Sequence, residues 1–186
     1  IRHLPVVEDG SLIGIVSGNT LGLEGVLLYS FIYVAMNIGA FAVAQAVAQE
    51  SAERGGKGDH YGLAAYNGLG QRSLGLALAM TFFLLSLAGI PPLAGFMGKF
   101  YIFASAMQSG HYALAVIGVI NSVVSVYYYM RIAYHMFFKE STSDEPLVVG
   151  PYLYGGLAVA VVGVILFGVY PEPLIASVQA SAQYLP

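Results

Sequence analysis

Four stretches of this chain, 25–49, 73–98, 100–130 and 146–171, contain no aspartate, glutamate, lysine or arginine. Each is longer than the roughly 20 apolar residues that a helix rising about 1.5 Å per residue needs to cross a hydrocarbon core. One such run could be a buried helix of a soluble protein, but four in succession exclude that. Composition points the same way: 58% of the 186 residues are hydrophobic and 9% charged, against about 45–50% and about 25% in soluble domains. The reading is an all-α polytopic membrane protein with about four transmembrane helices, over 23–48, 73–108, 112–138 and 152–170.

The charges that do occur exclude other classes. A net charge of -3 without a basic patch excludes nucleic acid as a partner. With no cysteine, the chain has no disulfide, thiolate zinc site, iron–sulfur ligand or thiol nucleophile. His3, His60 and His111 are too scattered to suggest a metal site.

Loop composition sets a topology. Residues 50–72, with Glu50, Glu53, Arg54, Lys57, Asp59 and a run of glycines, read as an exposed loop, and 139–150 as a second polar connection. A tight connection near Ser109, Gly110 and His111 joins the second and third spans. Alternating spans then put Arg54, Lys57, Arg72, Arg131 and Lys139 on one side and only Arg2 on the other. By the positive-inside rule the first side is cytoplasmic and the C-terminal tail lies outside. The chain opens on Ile1 rather than Met and shows no signal peptide, so it reads as an incomplete piece of a longer protein.

The first residues have two readings. IRHLPVVEDGSLIGIVS (1–17) has the pattern strand, Asp9-Gly10 turn, strand, a short β-hairpin. It resembles the closing hairpin of a CBS domain, and 1–18 is set apart on that ground. Leu12 to Gly18 would serve equally as the end of a preceding membrane helix.

The second span is too long for one straight crossing, and its middle explains why. Gly89-Ile90-Pro91-Pro92, followed by Gly95 and Gly98, combines prolines that remove backbone donors with glycines that tolerate unusual dihedrals. A break at Gly89–Pro92 is expected. At membrane depth the freed backbone groups must find partners in protein or a hydrated cavity, and broken helices of this kind mark transport sites in carriers.

Just past the break stands Lys99, the only lysine, arginine, aspartate or glutamate between Arg72 and Arg131. Burial disfavours its ammonium, and a place in the first turn of the second half-helix sets it against the positive end of that helix. Such a lysine is poised to take up and release a proton. The alternative is a lysine that snorkels to the interface, over about 13 Å of helix to Gln108.

Elsewhere the polar residues suggest helper roles. Asn121, Ser125 and Tyr128 share a face of the third helix and could hydrate a proton path, with His135 as a relay near its end. Small polar residues equally serve helix packing in membranes. On the first helix Tyr29, Tyr33 and Asn37 repeat every four residues as a polar-tipped stripe, and Glu24 reads as a solvated N-terminal residue.

SLAGIPPLAGFMGKFYIF (86–103), NSVVSVYYYMRIAYHMFF (121–138) and LYSFIYVAMNIGAFAV (28–43) closely resemble the subunit N family of the proton-pumping NADH:quinone oxidoreductase, respiratory complex I. Cation/proton antiporter subunits share this ancestry and stay open as an alternative, as does a CBS-fused membrane protein. The resemblance implies a subunit of about fourteen helices in two inverted repeats, each with one broken helix, of which 19–186 would be the last four. It implies that Lys99 transfers protons toward the outer face, with Pro91 and Pro92 at the break. It further implies a bacterial inner membrane and other membrane-arm subunits and lipid as partners. No cofactor is expected in this chain; NADH, quinone, flavin and iron–sulfur clusters would belong to partner subunits. The isolated piece is expected to be inactive.

Overall fold

A computed structural model describes residues 11–53, 62–141 and 145–182. The helices, in chain order, are α1 (Ser11–Ser17), α2 (Thr20–Glu53), α3 (Leu69–Arg72), α4 (Leu74–Ala88), α5 (Ala94–Gln108), α6 (Tyr112–Phe138), α7 (Pro151–Val169) and α8 (Glu172–Ala182), with a 3-10 turn at Leu63–Tyr66 before α3. No strand occurs among the described residues.

Three of these helices, α2, α6 and α7, are long and apolar enough to cross a membrane. The second span in chain order is composite, made of the 15-residue helices α4 and α5. At about 1.5 Å per residue neither half reaches across the roughly 30 Å core alone. The chain is an all-α, multi-pass integral membrane protein, as its charge-free stretches require.

The packing follows from where the small and large residues fall. Along α2, Leu28, Ile32, Met36, Val43 and Val47 are buried and meet Leu76, Met80, Phe83 and Leu84 of α4. Leu157 and Val164 of α7 and Met136 of α6 close the same core. A second, smaller cluster joins Ile13 of α1 and Tyr29 of α2 to Ile102 and Ala106 of α5 and Ala115 of α6. The other faces of α6 and α7 carry exposed apolar side chains, among them Ile117, Val123, Val159 and Val162. In a bilayer such faces need no polar cover, because lipid tails are as apolar as the side chains.

Two expectations change here, and the tail adds a helix. The second strand of the N-terminal hairpin is α1: Ile13, Ile15 and Val16 favour strands in water, but a helix satisfies its own backbone and packs Ile13 on α5. Gly18, at φ +63°, ends α1 with its amide on Ile15 O at 3.2 Å. Residues 1–10, with the first strand and its Asp9-Gly10 turn, lie outside the described residues.

Arg72 does not stand in an exposed loop. It is buried, paired with Glu50 at the end of α2, and its Nε donates to Glu145 O at 3.3 Å. A backbone bond from Leu147 N to Arg72 O (3.2 Å) completes the junction of the two polar connections. Beyond the fourth span, finally, the tail forms α8, which buries Leu174 and Val178 and reaches Glu24 through Gln179 (3.4 Å).

Candidate functional site at the helix break

The break forms where the sequence makes a helix impossible to continue. Pro91 and Pro92 lack amide hydrogens, so α4 stops at Ala88 and the chain turns at Gly89, with φ +84°. Glycine suits that left-handed geometry. Gly89 N bonds Ser86 O at 2.9 Å and Ile90 N bonds Leu85 O at 3.2 Å, so two of the last carbonyls of α4 are satisfied by a glycine C-cap. The Pro91–Pro92 peptide bond is cis, and α5 restarts at Ala94 after Leu93.

Ser86 holds the two halves together. Its Oγ accepts the amide of Gly95 at 3.2 Å and donates to Met36 Sδ of α2 at 2.8 Å. On the same side, the α-carbon of Gly95 sits against the carbonyl oxygen of Ser86, leaving no room for a Cβ. An amide freed by the break thus finds the partner that membrane burial demands.

Lys99 is buried, at 6% exposure, which removes the snorkelling alternative within this fold. It stands in the second turn of α5, not the first, because that helix begins at Ala94. Its aliphatic stem lies along Gly89, where a Cβ would come within 3.1 Å of Lys99 Cδ. Nζ donates to Ala88 O at 3.4 Å. That oxygen belongs to the last residue of α4, the negative end of its dipole. Sequence reading saw the positive end of α5 and missed the negative end of α4, since only the folded turn brings that carbonyl to the ammonium.

Backbone closes the surroundings. Gly98 of α5 lies against Tyr29 of α2, where a Cβ would be 2.6 Å from the tyrosine ring. From the other side, Gly168 of α7 touches the backbone of Pro92, Leu93 and Ala94. Ser86, Ala88 and Gly168 were not singled out from sequence, and Tyr29 was seen only as part of a polar-tipped stripe. Ser86 begins the motif of 86–103 and could have been found there; Ala88 and Gly168 carry no local signal.

The candidate path residues on α6 are less united. Ser125 is buried, but its hydroxyl donates to Ser122 O of its own helix at 2.7 Å. Asn121 is half-buried, whereas Tyr128 is 52% exposed. Tyr128 follows Ser125 by three residues, about 60° round the helix, enough to carry it from the packed strip to the outward side. His135 lies near the helix end, with Nδ1 2.7 Å from Asn67 Oδ1, while its carbonyl accepts Gly68 N at 3.1 Å. Those bonds anchor the turn before α3.

Comparison with known proteins agrees with this architecture. Residues 10–125 match the family model described as NADH:quinone oxidoreductase/Mrp antiporter, TM. The chain is 42% identical over 174 residues to NADH-quinone oxidoreductase subunit N of Paramagnetospirillum magneticum, covering 94% of this chain and 34% of that protein. Against the subunit N of Heliobacterium modesticaldum it is 41% identical over 187 residues, covering 99% and 38%.

Among solved structures, a chain of respiratory complex I from Thermus thermophilus aligns at a TM-score of 0.68 and 26% identity, over 90% of this chain and 36% of that one. A chain of the Mrp complex from Dietzia sp. aligns at a TM-score of 0.77 and 18% identity, over 94% and 40%, a likeness of fold. The chain spans about a third of the length of the curated relatives it matches.

Proposed function

Because the chain belongs to the NADH:quinone oxidoreductase/Mrp antiporter transmembrane family, we propose that it is the C-terminal part of a proton-translocating membrane subunit of an NADH:quinone oxidoreductase, with Lys99 as its proton-carrying group. One observation carries the reading. A buried lysine stands at a helix break, its stem along a glycine and its ammonium on the terminal carbonyl of the preceding half-helix.

The chemistry follows from that contact. A protonated Lys99 is held by a charge-assisted bond to Ala88 O; when it gives up the proton, the attraction to the negative end of α4 falls. A hydrated break on one side and the second half-helix on the other would then let the two states exchange protons with different sides. Lys99 acts by taking up and releasing a proton. No redox cofactor belongs to this chain in the proposal; NADH, quinone, flavin and iron–sulfur clusters belong to partner subunits, and other membrane-arm subunits flank it.

The orientation proposed is that of a bacterial inner membrane, with the polar connections, Lys139 and the Arg131 end of α6 on the cytoplasmic side and the tail outside. Of 1–18, the described part, α1, is read as the end of a preceding membrane helix. Asn121, Ser125 and His135 are retained as secondary candidates along α6.

The test is Lys99→Met in the complete subunit within its complex. Membrane vesicles should keep the assembled complex and lose most proton pumping. Pumping at the unaltered rate would sink the assignment. A second reading, a subunit of a cation/proton antiporter, is favoured by the fold likeness to the Mrp chain. Sodium-driven proton exchange in vesicles without NADH would support it over the first.

A further inference from the structure

One strip of α6 faces outward from the middle of the helix to its end. Ile120, Val124, Tyr127, Arg131, Tyr134 and Phe138 follow one another at steps of three and four, the spacing that keeps to one helix face, and all six are exposed. Tyr134 stacks on Phe138 with ring centroids 5.5 Å apart. Lys139, the residue after the helix, holds its Nζ 5.8 Å from the centre of the Tyr134 ring. The strip thus changes from aliphatic to aromatic and cationic as it nears the polar connection at 139–150.

Arg131 is the anomaly in this strip. At about 1.5 Å per residue the 27-residue helix is about 40 Å long, against a hydrocarbon core of about 30 Å. With α6 centred, about 5 Å projects at each end, so Arg131, about 10 Å before Phe138, has its backbone about 5 Å inside the core boundary. An exposed guanidinium at that depth is expensive unless it snorkels to the interface and finds an anion there. Among the described residues no hydrogen bond or ion pair engages Arg131. His135, one turn on, is engaged with Asn67, and the nearest acid in sequence, Glu140, stands outside the helix.

We infer that this face of α6 binds an anionic phospholipid of the leaflet on the side of the polar connections. The strip repeats the layers of one leaflet: aliphatic groups for acyl chains, tyrosines at the glycerol and carbonyl level where they concentrate in membrane proteins, then cations for phosphate. Arginine's planar fork matches a phosphate with two parallel bonds, and Lys139 adds a second cation beyond it. A carboxylate on a neighbouring helix would answer one of these charges and leave the other. The phosphate sits between Arg131 and Lys139, the hydroxyls of Tyr127 and Tyr134 meet the ester oxygens, and the acyl chains lie along Val124 and Ile120. A zwitterionic lipid carries an ammonium of its own, which the two cations repel. The inference is independent of the role of Lys99.

The test uses the complete subunit in its complex, moved from detergent into nanodiscs that contain either a phosphatidylglycerol or a phosphatidylcholine with the same photoactivatable acyl chain. Cross-links are mapped by mass spectrometry of the peptides that cover α6. A basic residue near an anionic surface is worth about fivefold in binding, so phosphatidylglycerol should label 120–138 at least about fivefold more strongly than phosphatidylcholine. Arg131→Gln combined with Lys139→Gln should bring the two lipids level, and a preference that survives both substitutions overturns the inference. Equal labelling in the unaltered subunit also overturns it, and that comparison needs no variant to fold. Absence of labelling by both lipids overturns it in favour of protein covering the face. Loss of the preference on adding millimolar inorganic phosphate overturns it in favour of a soluble anion.

Discussion

Gly95 and Ser86 meet twice across the helix break: the glycine amide donates to the serine hydroxyl, and the glycine α-carbon rests on the serine carbonyl. A side chain at 95 would push into backbone, which cannot rotate away. Gly95→Ala should therefore destabilise the broken helix by about 1–3 kcal/mol, read as a lower unfolding temperature of the subunit in detergent. Ser86→Ala should cost about 1 kcal/mol through the lost hydroxyl bonds. An unchanged unfolding temperature for Gly95→Ala would show that the halves are not held this closely.

Arg72 and Glu50 form a buried pair with side-chain exposures of 4% and 18%. Removing one partner strands the other charge, so Arg72→Ala should destabilise by about 3–5 kcal/mol. Replacing both residues with methionine should recover much of that loss. A double variant no better than the single one would contradict the pairing; the measurement is the amount of folded subunit retained in membranes together with its thermal unfolding.

Tyr66, in the 3-10 turn outside the spans, is buried, and desolvation raises its pKa above the ordinary 10.0. The folded turn therefore holds the phenolic proton more tightly than the unfolded chain does. Its contribution to stability is complete below pH 10.0 and is lost as pH climbs through the higher folded value. Alkaline titration followed by tyrosinate absorbance should show a late-titrating tyrosine that vanishes in Tyr66→Phe, and stability of that variant should fall less steeply in the same range.

Asn19 knots α1 to α5. Its Nδ2 donates to Ser109 Oγ at 2.9 Å and Ser105 O at 3.3 Å, while its Oδ1 accepts Gly22 N at 2.7 Å. Ser105 and Ser109 reach Ser17 from the other side, at 3.1 Å and 2.7 Å. Asn19→Ala should loosen α1 by about 1 kcal/mol per bond lost. Hydrogen exchange over 11–22 should speed up while that of α4 stays as it was.

Sequence was most legible where the membrane acts as solvent. The third span ends on the expected residues, Tyr112 and Phe138, and the break falls at Gly89 as its prolines require. Lipid excludes charge so strongly that charge-free runs mark spans without help from tertiary contacts. Contacts distant in sequence were not legible. Arg72 reads as a loop cation until Glu50 and Glu145 are brought to it, and Lys99 shows its dipole partner only after the turn at Gly89 folds Ala88 back. Ile13, Ile15 and Val16 mimic a strand because propensity scales describe water.

Gly168 touches the break through backbone alone. At that position α7 packs directly on the main chain of Pro92, Leu93 and Ala94, with no side chain of residue 168 between them. A shift of that helix along its axis has no side chain to absorb it. A side chain introduced at 168 would therefore have to displace main chain at Pro92 and Ala94, beside the turn that seats Lys99.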